Sequence, residues 1–357
     1  MAAGLEQARI KTRHVASTDV IVTDDQFTHA APLYWETYAH LRRTVALDAR
    51  DSVVVMGGFI GVTREGEITT LGRGGSDLTA SLVGAGVCAS EIQIWTDVDG
   101  MLTCDPRVLH GGYRLRSLGY EEAEEMARLG AKVLCTKTVA PAIRQGIPIV
   151  IRNSRRPEIE GTLVGPEAVR KPGVVKSVTS KTGMTVIHLF VPQTGILRSI
   201  AEGLSDRFER NQLHVDFVQA QPDGVSFAVQ SSSQIPDLLR DLDSSVRISV
   251  EEDSAMVSLV GEGIAAEASI TKRAMLAILK DSGMRMASQM FSPRSISFAV
   301  PESKLAVTVE NLHREFFRSP DPEIFAAADA ERRLPEATSE GHAVGPVPVP
   351  AYGWKVM

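Results

Sequence analysis

Cysteine is scarce in this chain: three occur in 357 residues, at Cys88, Cys104 and Cys135, with no CxxC spacing. An odd, scattered set excludes a disulfide framework and a readable structural zinc site, and fits reduced thiols. Long apolar runs are also missing. The run Val53 to Met56 is strand-sized, whereas a membrane helix needs about 18 consecutive apolar residues, so no membrane partner is expected. The opening MAAGLEQARIKTRH has no apolar stretch behind its basic residues, so the expected location is cytoplasmic rather than secreted. Basic residues are outnumbered, 38 against 44 acidic for a net charge of −6, which leaves no broad positive surface for a nucleic-acid backbone. Three catalytic signatures are absent too. Without GxxxxGK[ST], HExxH or GxSxG, the chain reads as neither a P-loop nucleotidase, a zinc hydrolase nor a serine hydrolase, and no residue is assigned to a metal.

What is present is ordinary globular composition, 43% apolar and 23% charged, over a length that predicts two or three domains. From about Ala16 to Gly165, β-rich runs alternate with helical ones, the pattern of a mostly parallel sheet covered by helices. Residues 52–56, 91–98 and 147–153 read as strands. Ser76 and Asp77 read as N-cap residues ahead of LTASLVGAGVCAS, and EEAEEMARLGAKVL places Ala123, Met126, Ala127, Gly130 and Val133 on one helical face. After the basic stretch Arg155–Pro172 the pattern becomes two similar units, each strand, helix, strand, strand, helix. The first runs from MTVIHLFV to IPDLLRDL and the second from AMVSLVG to KLAVTVENLHREFF. A repeat of roughly 70–75 residues is too long for a solenoid and matches duplicated ferredoxin-like βαββαβ modules. From Ser319 onward the chain carries six of its eighteen prolines and little apolar periodicity, so 319–357 is expected to be a disordered tail or linker.

The densest chemical signal is Leu71-Gly72-Arg73-Gly74-Gly75-Ser76-Asp77. Glycines let a backbone approach a ligand, the following helix turns its free amides to an anion, and Arg73 can grip a carboxylate while Asp77 positions a reacting group. Alone, the same residues make a Gly-rich turn with a helix cap. Upstream, Gly57-Gly58-Phe59-Ile60-Gly61 follows a buried-looking strand and is either a second phosphate-cradling backbone or a strand-ending hairpin. Downstream, Trp95-Thr96-Asp97-Val98-Asp99-Gly100 ends a strand in polar side chains, with Thr103-Cys104-Asp105-Pro106-Arg107 at once behind. Strand C-termini are where α/β sheets bind ligands. Arg107 can meet phosphate, and Asp97 and Asp105 can organise a ribose or merely their own Asx-turns.

Taken in order, GGFIG, TTLGRGGSD, IWTDVDGMLTCDPR, LGYEEAEEMARLGAKVL and IPIVIRNSRRPEIEGT resemble the aspartate kinases over about Ala16 to Phe317. The resemblance implies an α/β chain: part of an amino-acid-kinase domain, carbamate-kinase-like and three-layered αβα, in residues 1–170. Two ACT domains would follow in 171–252 and 253–318. It implies transfer of the γ-phosphoryl group of ATP, with Mg²⁺ carried on its phosphates and water, to the β-carboxylate of L-aspartate, giving 4-phospho-L-aspartate for lysine, threonine and methionine synthesis. By the same resemblance Arg73, Gly75, Ser76 and Asp77 hold aspartate. Thr96, Asp97, Asp105, Arg107 and Lys132 surround the nucleotide, with Asp77, Arg73 and Lys132 closest to the transfer. An amino-acid effector, lysine or threonine, would meet Phe190, Gly195, Ile196, Leu197, Val215 and Asp216, with Asp216 receiving its ammonium group. A homodimer through the ACT domains is implied.

Departures from the family pattern are visible. GAKVLCTK stands where GAKVLHP is usual, with Cys135 and Thr136 replacing the last pair, and Leu102 occupies a position that is often aromatic. Gln219, Ala220, Gln221 and Pro222 stand where Ser/Thr and Glu are commoner. The family's KFGG-type strand is not found in residues 1–50, and Lys11 in RIKTRH lacks its glycines. The expectation is therefore an aspartate kinase without its first lobe, poor in catalysis alone. The alternative is a non-catalytic regulatory, amino-acid-sensing subunit.

Overall fold

The computed structural model describes residues 1–48, 51–131, 136–190, 194–221, 223–240, 242, 246–280, 283–284, 286–288, 292–327 and 355–356. No helix among them is long and apolar enough to cross a membrane. The three expected strands form as Val53–Met56, Glu91–Thr96 and Ile149–Asn153, each rich in the β-branched residues that suit a pleated surface. Glu91–Thr96 and Ile149–Asn153 pair in parallel within a five-stranded sheet completed by Thr162–Val164, Ser117–Leu118 and Lys355–Val356. Pairing there is parallel except between Ile149–Asn153 and Thr162–Val164. Thr12–Val15 pairs in parallel with Val53–Met56 as a separate ribbon, and Ile60–Val62 folds back on Ile68–Thr70 as a hairpin.

Helix Gly75–Val87 buries ten of its thirteen residues, Leu78, Leu82 and Ala85 among them. A helix apolar nearly all round is a core helix. Its start departs from the sequence expectation: Ser76 and Asp77 lie inside the first turn, and the cap position belongs to Gly74 at φ 75°, with no side-chain cap bond. The chain turns sharply after Arg73, which a glycine does without strain. Helix Tyr120–Arg128 buries Ala123 and Met126 as expected, but also Glu122 and Glu125. Gly130 falls beyond its end, and Val133 lies outside the described residues.

The two repeated units share one sheet. Its order is Val215–Gln221, Gly224–Gln230, Ser177–Phe190, Arg247–Val260, Ser295–Pro301, Met286–Ser288, antiparallel throughout. The two central strands, fourteen residues each, belong to both units. Met184–Phe190 pairs with Gly224–Gln230 in the first unit, whereas the start of the same strand pairs with residues 256–260 in the second. The second unit thus takes its fourth strand from 177–181, upstream of the first, and the first is inserted into it. A bare edge at Arg247–Val260 would invite mispairing, and residues 177–181 cover it. A boundary at 252/253 falls inside strand Arg247–Val260. Helices Thr194–Arg210 and Ile235–Arg240 serve the first unit, and Ala268–Leu279 and Leu305–Phe316 the second.

Residues 319–327 are not a free tail. Phe325–Ala327 pairs with Tyr113–Leu115, and Asp321 and Glu323 both meet Lys171. Residues 328–354 and 357 lie outside the described residues. One continuous core runs from Ile92 and Ile149 through Leu115 and Val178 to Val257 and Phe298, so the first sheet and the second unit are packed as one body. The first unit keeps a core of its own around Ile187, Leu204, Phe208 and Phe227.

Candidate active site

The two glycine motifs, 13 residues apart at Gly58 and Leu71, meet in space. Leu71 N–H donates to Phe59 O at 3.0 Å, and Phe59 N–H donates to Thr79 Oγ1 at 3.1 Å. A Cβ at Gly58 would lie 3.0 Å from Ser76 Cα, and one at Gly75 would lie 2.8 Å from the Phe59 ring, so close backbone approach explains both glycines. Arg73 and Ser76 are exposed beside this cradle, and Asp77 is half-buried. Burial pushes the Asp77 carboxyl above the ordinary range. With Ser76 and Asp77 free of capping duty, the first turn of Gly75–Val87 offers amide groups, a hydroxyl and a carboxylate at one point.

A short turn reverses the chain from this helix into strand Glu91–Thr96. At the end of that strand opens a cavity of about 420 Å³, within the roughly 300–1,000 Å³ usual for small-molecule sites. Thr96, Asp97, Asp105 and Arg107 line it, as the sequence grouping requires, with Leu102 and Cys104. Asp97 accepts a hydrogen bond from Thr96 Oγ1 at 3.2 Å. Asp105 organises its turn and its arginine together: Oδ1 accepts Arg107 N–H at 2.9 Å and Nε–H at 3.0 Å, and Oδ2 accepts from Nη2 at 2.6 Å. Arg107 is thereby held at the mouth with its guanidinium exposed. Cys104 is buried, and burial pushes its thiol up to about 11, which disfavours the thiolate. Lys132 lies outside the described residues.

Sequence reading did not assign the rest of this cavity. Met126, Gly130 and Ala131 form one wall, and Ser177, Val178, Thr179 and Ser180 another. The second wall was hidden because residues 177–180 read as the start of a regulatory unit. They are tied to the loop at Leu102 and Thr103 instead: Val178 N–H donates to Thr103 O at 2.7 Å, and Ser177 Oγ donates to Leu102 O at 3.1 Å. Asp99 was passed over as well. It accepts from Asn153 Nδ2 at 2.7 Å and from Arg156, and so fastens the loop after Ile149–Asn153 beneath the strand end.

The six effector residues named from the sequence do not gather. Phe190 lines a separate open cavity of about 310 Å³ with His188, Gln221, Ser226, Ser249 and Glu251. Gly195, Ile196 and Leu197 fall in the first turns of helix Thr194–Arg210, close along the chain to Phe190. Val215 and Asp216 sit toward the opposite end of the sheet: Val215 is level with Val229 and hence Thr185, about 16 Å along the strand from Phe190. The Asp216 side chain is only 5% exposed, and both its oxygens accept from Lys181 Nζ, at 2.7 and 2.8 Å. Its carboxylate is satisfied within the chain and is not open to a ligand ammonium group.

The amino acid kinase family model matches residues 1–153. Over 310 residues the chain is 31% identical to the lysine-sensitive aspartokinase 3 of Escherichia coli (strain K12), covering 84% of this chain and 68% of that protein. The chain belongs to the aspartokinase family. Against aspartokinase 1, chloroplastic, of Arabidopsis thaliana it is 30% identical over 338 residues, covering 90% of this chain and 58% of that one. It thus spans between about three fifths and two thirds of these relatives. The crystal structure of E. coli aspartokinase III with aspartate and ADP (R-state) superposes with a TM-score of 0.75 at 28% identity, covering 88% of this chain and 71% of that one. The lysine and aspartate complex (T-state) gives 0.72 at 29%. The fold is accordingly α/β, an amino-acid-kinase part followed by paired ferredoxin-like ACT units.

Proposed function

We propose that this chain is an aspartate kinase that transfers the γ-phosphoryl group of ATP to the β-carboxylate of L-aspartate under feedback control by an amino acid. The observations that carry the reading are a glycine cradle at the start of helix Gly75–Val87 and a 420 Å³ cavity at the end of strand Glu91–Thr96, one suited to a small carboxylate and the other to a nucleotide. Arg73, Gly75, Ser76 and Asp77 hold aspartate through charge and helix-start amides. Thr96, Asp97, Asp105 and Arg107 frame ATP, with Lys132 assigned to its phosphates by sequence alone. Phosphoryl transfer asks for little covalent chemistry from a protein and for much positioning and charge neutralisation, which fits a site of amides, carboxylates and two arginines. Mg²⁺ would arrive bound to the phosphates and water, and the exposed Asp97 carboxylate suits its hydration shell.

Two structures of one relative, E. coli aspartokinase III, support the assignment: one is a complex with aspartate and ADP, the other with lysine and aspartate. Lysine is therefore the first effector to test. The Phe190 end of the sheet and the first turn of Thr194–Arg210 are its proposed side, and Asp216 is reassigned to its pair with Lys181. Self-association through the ACT units belongs to the same reading, and light scattering on the full chain tests it. The decisive experiment is aspartate-dependent ADP release from the full chain, beside calorimetry with ADP. Binding and turnover that both fall in Arg107→Ala support the proposal. ADP binding with no aspartate-dependent turnover favours the regulatory-subunit alternative, and no ADP binding overturns the nucleotide site.

A further inference from the structure

Lys176 is among the largest fully buried side chains of the described residues, at 0% exposure, and Glu122, its partner at 2.6 Å, has a side chain 3% exposed. The pair lies outside the machinery described so far. Each oxygen and the ammonium group are used: Glu122 Oε2 also accepts Gly119 N–H at 3.0 Å, Oε1 accepts Glu262 N–H at 3.1 Å, and Lys176 Nζ also donates to Val169 O at 3.1 Å. Burying two charges costs several kcal/mol per ion before pairing repays it, and well-packed apolar residues of the same volume are often as stable or more so. Stability alone is a weak reason for such a pair.

Its position in the fold supplies another. Glu122 stands one turn before Met126 on the helix that leads to Gly130 and Ala131, which form one wall of the 420 Å³ cavity. Lys176 immediately precedes Ser177 to Ser180, a second segment that lines the same cavity. Lys176 N–H donates to Val260 O at 2.7 Å, and Glu262 follows in the second ACT unit, so the same knot holds the sheet to both walls. Nothing else between the two segments is buried and charged to this degree among the described residues. We infer that Glu122 and Lys176 are a positioning pair that sets the spacing of the two walls of the nucleotide cavity, and that they fix it relative to the second ACT unit. This rests on reading the cavity as the ATP site. A salt link of defined length between two backbone segments specifies a separation, where an apolar contact of the same volume tolerates sliding.

The test uses the full chain and ADP. In Lys176→Met/Glu122→Gln the charges are removed together at nearly constant volume, so the melting temperature is expected to stay within about 3 °C of the parent. ADP affinity is expected to fall about tenfold, as for other displacements of a binding wall. Lys176→Arg keeps the charge and is expected to retain more affinity than the double variant. Where the double variant is too unstable to isolate, Lys176→Arg serves, since it keeps the buried pair charged and changes only the length and shape of the link, and a smaller loss of ADP affinity in the same direction is expected in the folded protein. ADP binding at parental strength in the charge-free variant overturns the positioning role while leaving the ATP site intact. Failure of the parent chain itself to bind ADP overturns both readings.

Discussion

Asp77 is pulled in opposite directions by stability and by its proposed work. Burial raises its pKa from an ordinary 3.8, so the folded state resists an ionisation that the unfolded chain undergoes freely. Its contribution to stability is therefore best in acid and declines as pH climbs through that range, and at neutral pH the ionised carboxylate is a burden. Asp77→Asn should leave the melting temperature unchanged or higher at pH 7 while turnover drops about 10²–10³-fold, the usual scale for a lost polar contact to a charged transition state. Lower stability with unchanged turnover would make Asp77 structural. His313 shows the opposite sign. Thr103 Oγ1 accepts Tyr113 N–H at 2.8 Å and lies 2.9 Å from His313 Nε2. Burial lowers the His313 pKa below 6.5. The unfolded chain then binds a proton that the fold refuses, and stability present above pH 6.5 is lost as pH falls toward the lowered value. Urea denaturation between pH 7.5 and 5 should show this slope, and His313→Gln should flatten it. The Gly and Asp positions of the site were legible because their chemistry is local. The Lys181–Asp216 pair and the Thr103–His313 contact were not, for their partners stand 35 and 210 residues away.

At the scale of elements, apolar periodicity marked helix Tyr120–Arg128 and strand Ile149–Asn153, both local patterns, but carried the helical face past Arg128 and did not mark helix Tyr34–Asp48. Which strands pair was another matter. The repeat in the sequence shows two units of equal grammar, but residues 177–181 serve the second unit from a place before the first, and nothing in an alternating strand records its neighbour. The cap of Gly75–Val87 was misplaced by two residues for a related reason: Ser76 and Asp77 are good caps, and a glycine in the left-handed region outcompetes them where the backbone must turn. Gly130 joins these elements. It has φ 109°, and a Cβ there would strike the carbonyl oxygen of Ser180, so the end of one wall rests directly on the backbone of the other. Gly130→Ala should cost about 1–3 kcal/mol in chemical denaturation, from strain and contact together, and should weaken ADP binding. A variant as stable as the parent would show that the two segments separate easily and that this contact does not define the cavity.

Across the whole molecule the kinase part and the ACT sheet are joined by covalent strand, by core and by a returning segment. After helix Leu305–Phe316 the chain crosses back to the kinase part, where Phe325–Ala327 adds to Tyr113–Leu115, Ile324 O accepts Arg116 N–H at 2.8 Å and Pro322 O accepts Arg116 Nε–H at 2.9 Å. Phe325, 5% exposed, packs edge-on to Phe317 at 5.5 Å and against Tyr113 at 6.5 Å, so one side chain pins the last ACT helix to the strand beside the Thr103 loop. The ion pairs of Lys171 with Asp321 and Glu323 decorate the same crossing, but their side chains are 36%, 35% and 68% exposed. Exposed pairs contribute about 0–1 kcal/mol and are screened by salt, whereas removing a buried aromatic costs about 3–5 kcal/mol. The ranking predicts that Phe325→Ala lowers the melting temperature clearly and exposes the 316–327 segment to limited proteolysis, while Lys171→Ala changes little and less still at high salt. Because the loosened segment flanks Tyr113 and His313, ADP affinity should fall in Phe325→Ala and hold in Lys171→Ala. Equal stability of the two variants would mean that the crossing is held by its backbone pairing alone, and that the aromatic cluster carries no load between the two halves of the chain.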